Sequence, residues 1–173
     1  VKMMSEIEKK VGKRFPLSIL LQNSTISKLA ERIQSVEHED EKWDTLVPIK
    51  TTGTKTPVYL IHGGGLNILL FKSLNKFFDD DQPVYGIQAF GLTRPTEIPP
   101  TIEEAARRHI IEILQNDPNG PYALAGYSLG GYIAFEIAKQ LKAMGKEVTL
   151  LGIIDTYAVS NLPQPMSAVV AKK

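Results

Sequence analysis

The stretch Gly126-Tyr127-Ser128-Leu129-Gly130-Gly131 constrains this chain more than any other. It reads G-x-S-x-G, and its flanks are what that pattern requires. The apolar run Tyr122-Ala123-Leu124-Ala125 leads in as a buried strand, and a helical pattern from Leu129 to about Met144 leads out. A serine between them must sit on a turn so sharp that its backbone is strained. Side chains at 126 and 130 would collide with the neighbouring strand and helix. Such a turn projects the hydroxyl out of the sheet. It also sets the hydroxyl over a helix N-terminus, where free N–H groups and the positive dipole end favour developing negative charge.

Composition narrows the chemistry. The 173 residues contain no cysteine, which excludes disulfides, thiolate metal sites and a Cys nucleophile, so covalent catalysis falls to Ser or Thr. A net charge of +1 gives no electrostatic basis for a nucleic-acid partner. Apolar runs such as Thr149–Ile154 are too short to cross a bilayer, and Val1-Lys2-Met3-Met4-Ser5 leads into charge rather than a signal-peptide core. A cytoplasmic location without membrane attachment is the default expectation.

Three segments are distinguishable. In residues 1–36, Met4, Ile7 and Val11 form one helical stripe and Ile26, Leu29, Ala30 and Ile33 a second. Gly12 ends the first helix, Ser24 or Thr25 caps the second, and Phe15-Pro16-Leu17 is an anchored turn between them. Two such helices bury little core, so this piece is expected to be the remainder of a small helical domain. Residues 37–45 are charge-dense and read as a linker, with the sole tryptophan, Trp43, expected to cover an edge of the next domain. From residue 46 to 173 strands alternate with helices. Strands are expected at Val58–Ile61, Pro83–Gln88, Tyr122–Ala125 and Glu147–Ile154; helices at Leu66–Phe78, at Thr101–Gln115 behind a T-x-x-E capping box, and after Ser128. This order predicts an α/β fold with a doubly wound, mostly parallel sheet.

Three further features bear on Ser128. His62-Gly63-Gly64-Gly65 follows the first predicted strand, and one of its N–H groups together with that of Leu129 would form an oxyanion hole. His62 precedes Ser128 in the chain and is read as shaping this loop. Asp155 ends the last predicted strand, on the sheet edge that carries Ser128, where a carboxylate can orient a histidine. No histidine follows Asp155. His38 lies in the linker, and His109 is read as a surface or half-buried helix residue.

Trp43 to Ile49, Gln82-Pro83-Val84-Tyr85-Gly86-Ile87-Gln88-Ala89-Phe90-Gly91-Leu92 and Gly120 to Gly131 together resemble the chain-terminating (type I) thioesterase domain of nonribosomal peptide synthetases and polyketide synthases. Gly12-Lys13-Arg14-Phe15-Pro16-Leu17 followed by Thr25 to Ala30 resembles the end of the peptidyl carrier domain that precedes it. The resemblance implies an α/β-hydrolase fold, Ser128 as nucleophile, Asp155 as triad acid, and Gly64 with Leu129 as oxyanion donors. It implies no cofactor or metal on this chain; the 4′-phosphopantetheine belongs to a carrier serine upstream of Val1, and Ser5 is not that serine. The partner implied is a carrier domain bearing a thioester-linked chain. Lid helices and the catalytic histidine would follow Lys173. A chain of this extent is therefore expected to be inactive alone, and to expose an apolar sheet edge prone to self-association. A general carboxylesterase and a non-catalytic carrier-docking module are the alternative readings. The acyl chain, the choice of hydrolysis or cyclisation, and the parent synthetase type stay open.

Overall fold

The computed structural model describes residues 2–13, 15, 19–23, 25–35, 45–90 and 98–158. They fall into two units, Val1–Asp44 and Thr45–Lys173. Trp43 and the linker up to Asp44 lie outside the described residues, as do Ser24, Pro16, Leu17 and His38.

The first unit has three helices: α1 (Lys2–Val11), α2 (Ile19–Gln22) and α3 (Ile26–Ser35). Gly12, at φ 72°, ends α1, with its N–H bonded to Glu8 O at 2.8 Å. Thr25 caps α3, its Oγ1 accepting from Lys28 N at 3.3 Å. Met4, Phe15, Ile19 and Leu29 make the core, with Ile7, Leu20 and Ile33 packed on it. The two predicted stripes are thus buried only in part: Val11 and Ala30 are exposed, and Ile26, on the first turn of α3, is 89% exposed. The single-turn helix α2 was not predicted, because four residues are too few to show a period.

The second unit is a five-stranded sheet of β1 (Leu46–Lys50), β2 (Val58–Ile61), β3 (Val84–Ile87), β4 (Tyr122–Tyr127) and β5 (Val148–Ile154), in the order β1-β3-β2-β4-β5. The β3, β2, β4 and β5 pairings are parallel; β1 runs antiparallel to β3. Strand β1 went unpredicted, and it contains Pro48, which an edge strand tolerates because one side of its backbone needs no donor. Thr45, expected in the linker, is buried at the start of this sheet.

Both faces of the central strands β2 and β4 are buried, as a parallel sheet requires, whereas Leu150, Ile153 and Ile154 of the edge strand β5 stay exposed. On one face Tyr59 and Ile61 of β2 and Tyr122 and Leu124 of β4 pack against α4 (Ile102–Asn116) and α5 (Leu129–Ala143), chiefly Ile110, Ile113, Ile133, Ile137 and Leu141. On the other, Ile68 lies over Gly86, where a Cβ would come within 3.0 Å of its side chain. The helix expected over Leu66–Phe78 is a 3₁₀ segment, Leu69–Phe77. It starts late because Leu66 takes φ 65° and the Asn67 side chain accepts from Leu69 N at 3.0 Å. Ile68, Phe71, Leu74 and Phe77 recur every third residue, the spacing that three residues per turn keep in one row.

Helix α4 begins where expected. Thr101 Oγ1 accepts from Glu104 N at 3.1 Å. The Glu104 carboxylate does not return the bond; it takes Arg107 Nε at 2.8 Å and Arg108 Nε at 2.7 Å instead. Hydrogen bonds first from Arg107 and then from Arg108 hold the Glu104 carboxyl down at about 2, against an ordinary value of 4.5. A depressed carboxyl contributes stability that is present above its ordinary value and lost as pH falls through the folded one. The window is therefore pH 4.5 down to about 2. Side-chain NMR titration should find Glu104 with its midpoint near 2, and Glu104→Gln should remove its share of the acid destabilisation. The share is small, because the cluster is solvent-screened.

Candidate active site

The elbow is built as its glycines require. A Cβ on Gly126 would overlap the Gly130 carbonyl, and one on Gly130 would overlap the carbonyls of Ile61 and His62. Helix α5 can therefore start against the end of β2 only if both positions lack side chains. Ser128 takes φ 54°, ψ −118°, a region that L-residues rarely occupy. Its N–H bonds to Ile154 O at 2.8 Å, and its carbonyl accepts from Gly131 N at 3.0 Å and Thr156 Oγ1 at 2.8 Å. Although Ser128 stands at the N-cap position of α5, its hydroxyl makes no capping bond. The half-buried hydroxyl is thus left for other chemistry.

The remaining predicted residues gather at the same sheet edge. Leu129 is the first residue of α5, so its N–H has no acceptor within the helix. The His62–Gly65 loop lies against the elbow, since a Cβ on Gly63 would come within 2.8 Å of the Tyr127 ring. Gly64 is exposed, and a Cβ there would meet nothing within 4 Å. Asp155 directly follows Ile154, whose carbonyl holds the Ser128 N–H. It takes φ 51° and is exposed at the end of β5. Thr156 Oγ1 on Ser128 O, and Tyr132 Oη donating to Tyr157 O at 2.7 Å, tie this turn to the elbow and to α5. Among the described residues, no histidine is hydrogen-bonded to Ser128 or Asp155.

Both described histidines are buried, each 1% exposed. For His109 this corrects the expectation of a surface or half-buried position. His62 Nδ1 lies 2.8 Å from Gly63 O. A carbonyl only accepts, so Nδ1 carries the proton. The His109 ring stacks on Phe90 at 4.5 Å and sits edge-on to His62 at 6.4 Å. Its Nδ1 lies 3.1 Å from Thr45 Oγ1, whose own proton goes to the Glu112 carboxylate. Nδ1–H of His109 therefore donates to Thr45. Burial pushes both imidazoles below their ordinary range, and for His109 the neighbouring His62 adds to this. Sequence reasoning missed this cluster: Thr45 and His109 are 64 positions apart and share no local pattern. Among the described residues no group of His, Cys, Asp and Glu could hold a metal ion, and no helix is long and apolar enough to cross a membrane.

The family model described as "Thioesterase domain" matches residues 56–167, which include the elbow, the glycine loop and Asp155. The chain belongs to the thioesterase domain family. Inactive atromentin synthetase invA3 of Paxillus involutus is 40% identical over 146 residues, which cover 83% of this chain and 15% of that protein. A dimodular nonribosomal peptide synthase of Bacillus subtilis (strain 168) is 34% identical over 94% of this chain and 7% of its own length. Among solved structures, a holo four-domain nonribosomal peptide synthetase bound to AMP and glycine superposes with TM-score 0.70 at 31% identity, over 94% of this chain and 12% of that one. The NocB thioesterase domain from the nocardicin cluster gives 0.58 at 28% identity, over 61% and 47%. The fold of this thioesterase domain is thus of the α/β-hydrolase type. The chain spans about 15% of the length of the atromentin synthetases it matches.

Proposed function

We propose that this thioesterase domain releases an acyl or peptidyl chain from the phosphopantetheine thioester of a carrier domain, through an ester on Ser128. The observation that carries the reading is the uncapped Ser128 hydroxyl on a strained elbow, between a glycine loop and the strand end bearing Asp155. Ser128 Oγ attacks the thioester carbonyl and gives its proton to a general base. N–H groups of Gly64 and Leu129 take the oxyanion charge. The C–S bond then breaks, the pantetheine sulfur leaves with the proton, and the acyl group stays on Oγ. Water, or a nucleophile within the chain, breaks the ester and gives an acid or a ring. The base is a histidine outside the described residues, and Asp155 holds its imidazole. Two observations support a carrier origin for residues 1–36: the similarity of the Bacillus synthase and of the four-domain synthetase extends over 94% of this chain.

A docking role without chemistry is the second reading, because some relatives, invA3 and invA4, are named inactive. The deciding experiment loads the carrier of the full-length protein with an acyl-pantetheine arm and follows intact mass. Transient acylation of the peptide containing Ser128, with release of the acid or its ring, is expected. A thioester that persists on the carrier, with Ser128 unlabelled by an alkyl fluorophosphonate, would establish the docking role. Turnover of simple esters with the carrier thioester untouched would establish a carboxylesterase.

A further inference from the structure

We infer that His62 is a positioning residue for the oxyanion hole: its Nδ1–H grips the Gly63 carbonyl and thereby aims the N–H of Gly64. The inference rests on the reading of Gly64 N–H as an oxyanion donor. A peptide unit is one rigid plane, and in the trans form its C=O and N–H point to opposite sides. Gly63 O and Gly64 N–H are the two ends of one such plane, so fixing the carbonyl fixes the direction of the N–H. The glycines on either side have the widest torsional freedom available to a chain, and left alone they would let this plane turn. Two donors hold it: His62 Nδ1 at 2.8 Å and Leu66 N at 2.9 Å from Gly63 O. Leu66 reaches the carbonyl by taking φ 65°, and its own carbonyl is held by Ala89 N at 2.9 Å.

His62 is itself immobilised. Its N–H bonds to Ile87 O at 2.9 Å at the end of β3, and its carbonyl faces Gly130 at the start of α5. The ring meets His109 edge-on, and His109 is fixed in turn by Phe90 and Thr45. The loop donor is thus set by side chains drawn from α4 and from the segments flanking β1, β2 and β3. Burial disfavours the charged form of both imidazoles, and the Gly63 carbonyl and the Thr45 hydroxyl, each facing Nδ1, select the Nδ1–H form. A preorganised donor is worth more in the transition state than one that must be oriented during reaction.

The test measures phosphonylation of Ser128 in the full-length protein by an alkyl fluorophosphonate, separating the maximal rate from the inhibitor's half-saturating concentration. His62→Phe keeps a buried ring but removes the donor. It should slow the maximal rate by roughly 100-fold with half-saturation little changed, the size of loss seen when one oxyanion donor is removed. His62→Asn keeps an N–H at the δ position and should restore most of that rate. If His62→Phe fails to fold, His62→Gln, whose N–H lies at the ε position, replaces it as the donor-deficient variant. Equal rates in the donor-keeping and donor-deficient variants, or losses that only follow melting temperature, would overturn the positioning role. Gly64→Pro separates this from the underlying reading. If Gly64→Pro reacts at the wild-type rate, Gly64 is no oxyanion donor and both ideas fall. If Gly64→Pro is slow and His62→Phe is fast, the positioning role alone falls.

Discussion

Ser128→Ala is expected to abolish acyl-enzyme formation in the full-length protein and to lower thioester turnover by about 10⁶-fold, the size of loss found when a triad nucleophile is removed. Stability should hardly move, because the hydroxyl makes no capping bond to α5 and the other elbow contacts are made by backbone groups. Ser128→Gly makes a sharper comparison. At φ 54°, ψ −118° an L-residue carries strain that glycine does not, so this variant should be as inactive as Ser128→Ala yet more stable by about 1 kcal/mol. Urea unfolding alongside the carrier-release assay measures both effects. A Ser128→Ala protein that still turned over its carrier thioester would remove the nucleophile from the proposed mechanism.

Gly130→Ala should be strongly destabilising. Its Cβ would overlap the carbonyls of Ile61 and His62, both on the backbone at the end of β2, so no side-chain rotation relieves the contact. Either α5 lifts from the sheet or β2 shifts against β3 and β4, and such overpacking costs about 3 kcal/mol. Gly65→Ala is the control: its Cβ would meet only Asn67 Nδ2 at 3.8 Å, an ordinary contact, and its stability should stay within about 0.5 kcal/mol of wild type. Chemical denaturation of the three proteins checks this. Equal midpoints would mean that the approach of α5 to β2 is looser than the elbow requires.

The two variants probe one design from two sides. The strain at Ser128 is sustained by contacts elsewhere: the Ile154 carbonyl, the Thr156 hydroxyl and the close seat of Gly130 on β2. Those same contacts bring the glycine loop and the end of β5 to the elbow. A chain that relaxed the strain would also lose the arrangement in which the hydroxyl, the loop and Asp155 share an edge.

What the residues determined alone was whatever depends on local sterics and short-range periodicity. G-x-S-x-G specifies a turn that tolerates no Cβ at 126 or 130, the alternation of apolar runs specifies a parallel sheet, and Thr101 specifies the start of α4. Each follows from neighbours within a few positions in the chain. Tertiary structure alone decided the rest. It made Leu46–Lys50 an antiparallel edge strand, buried Thr45, and drew His109 beneath the loop. Thr45, His62, Phe90, His109 and Glu112 are scattered across four segments, His109 and Glu112 sharing α4, and nothing in the local sequence of Thr45 or His109 distinguishes them from a linker threonine or a surface histidine. Their proton positions follow from which acceptor each meets, and those acceptors are brought together only by the folded sheet.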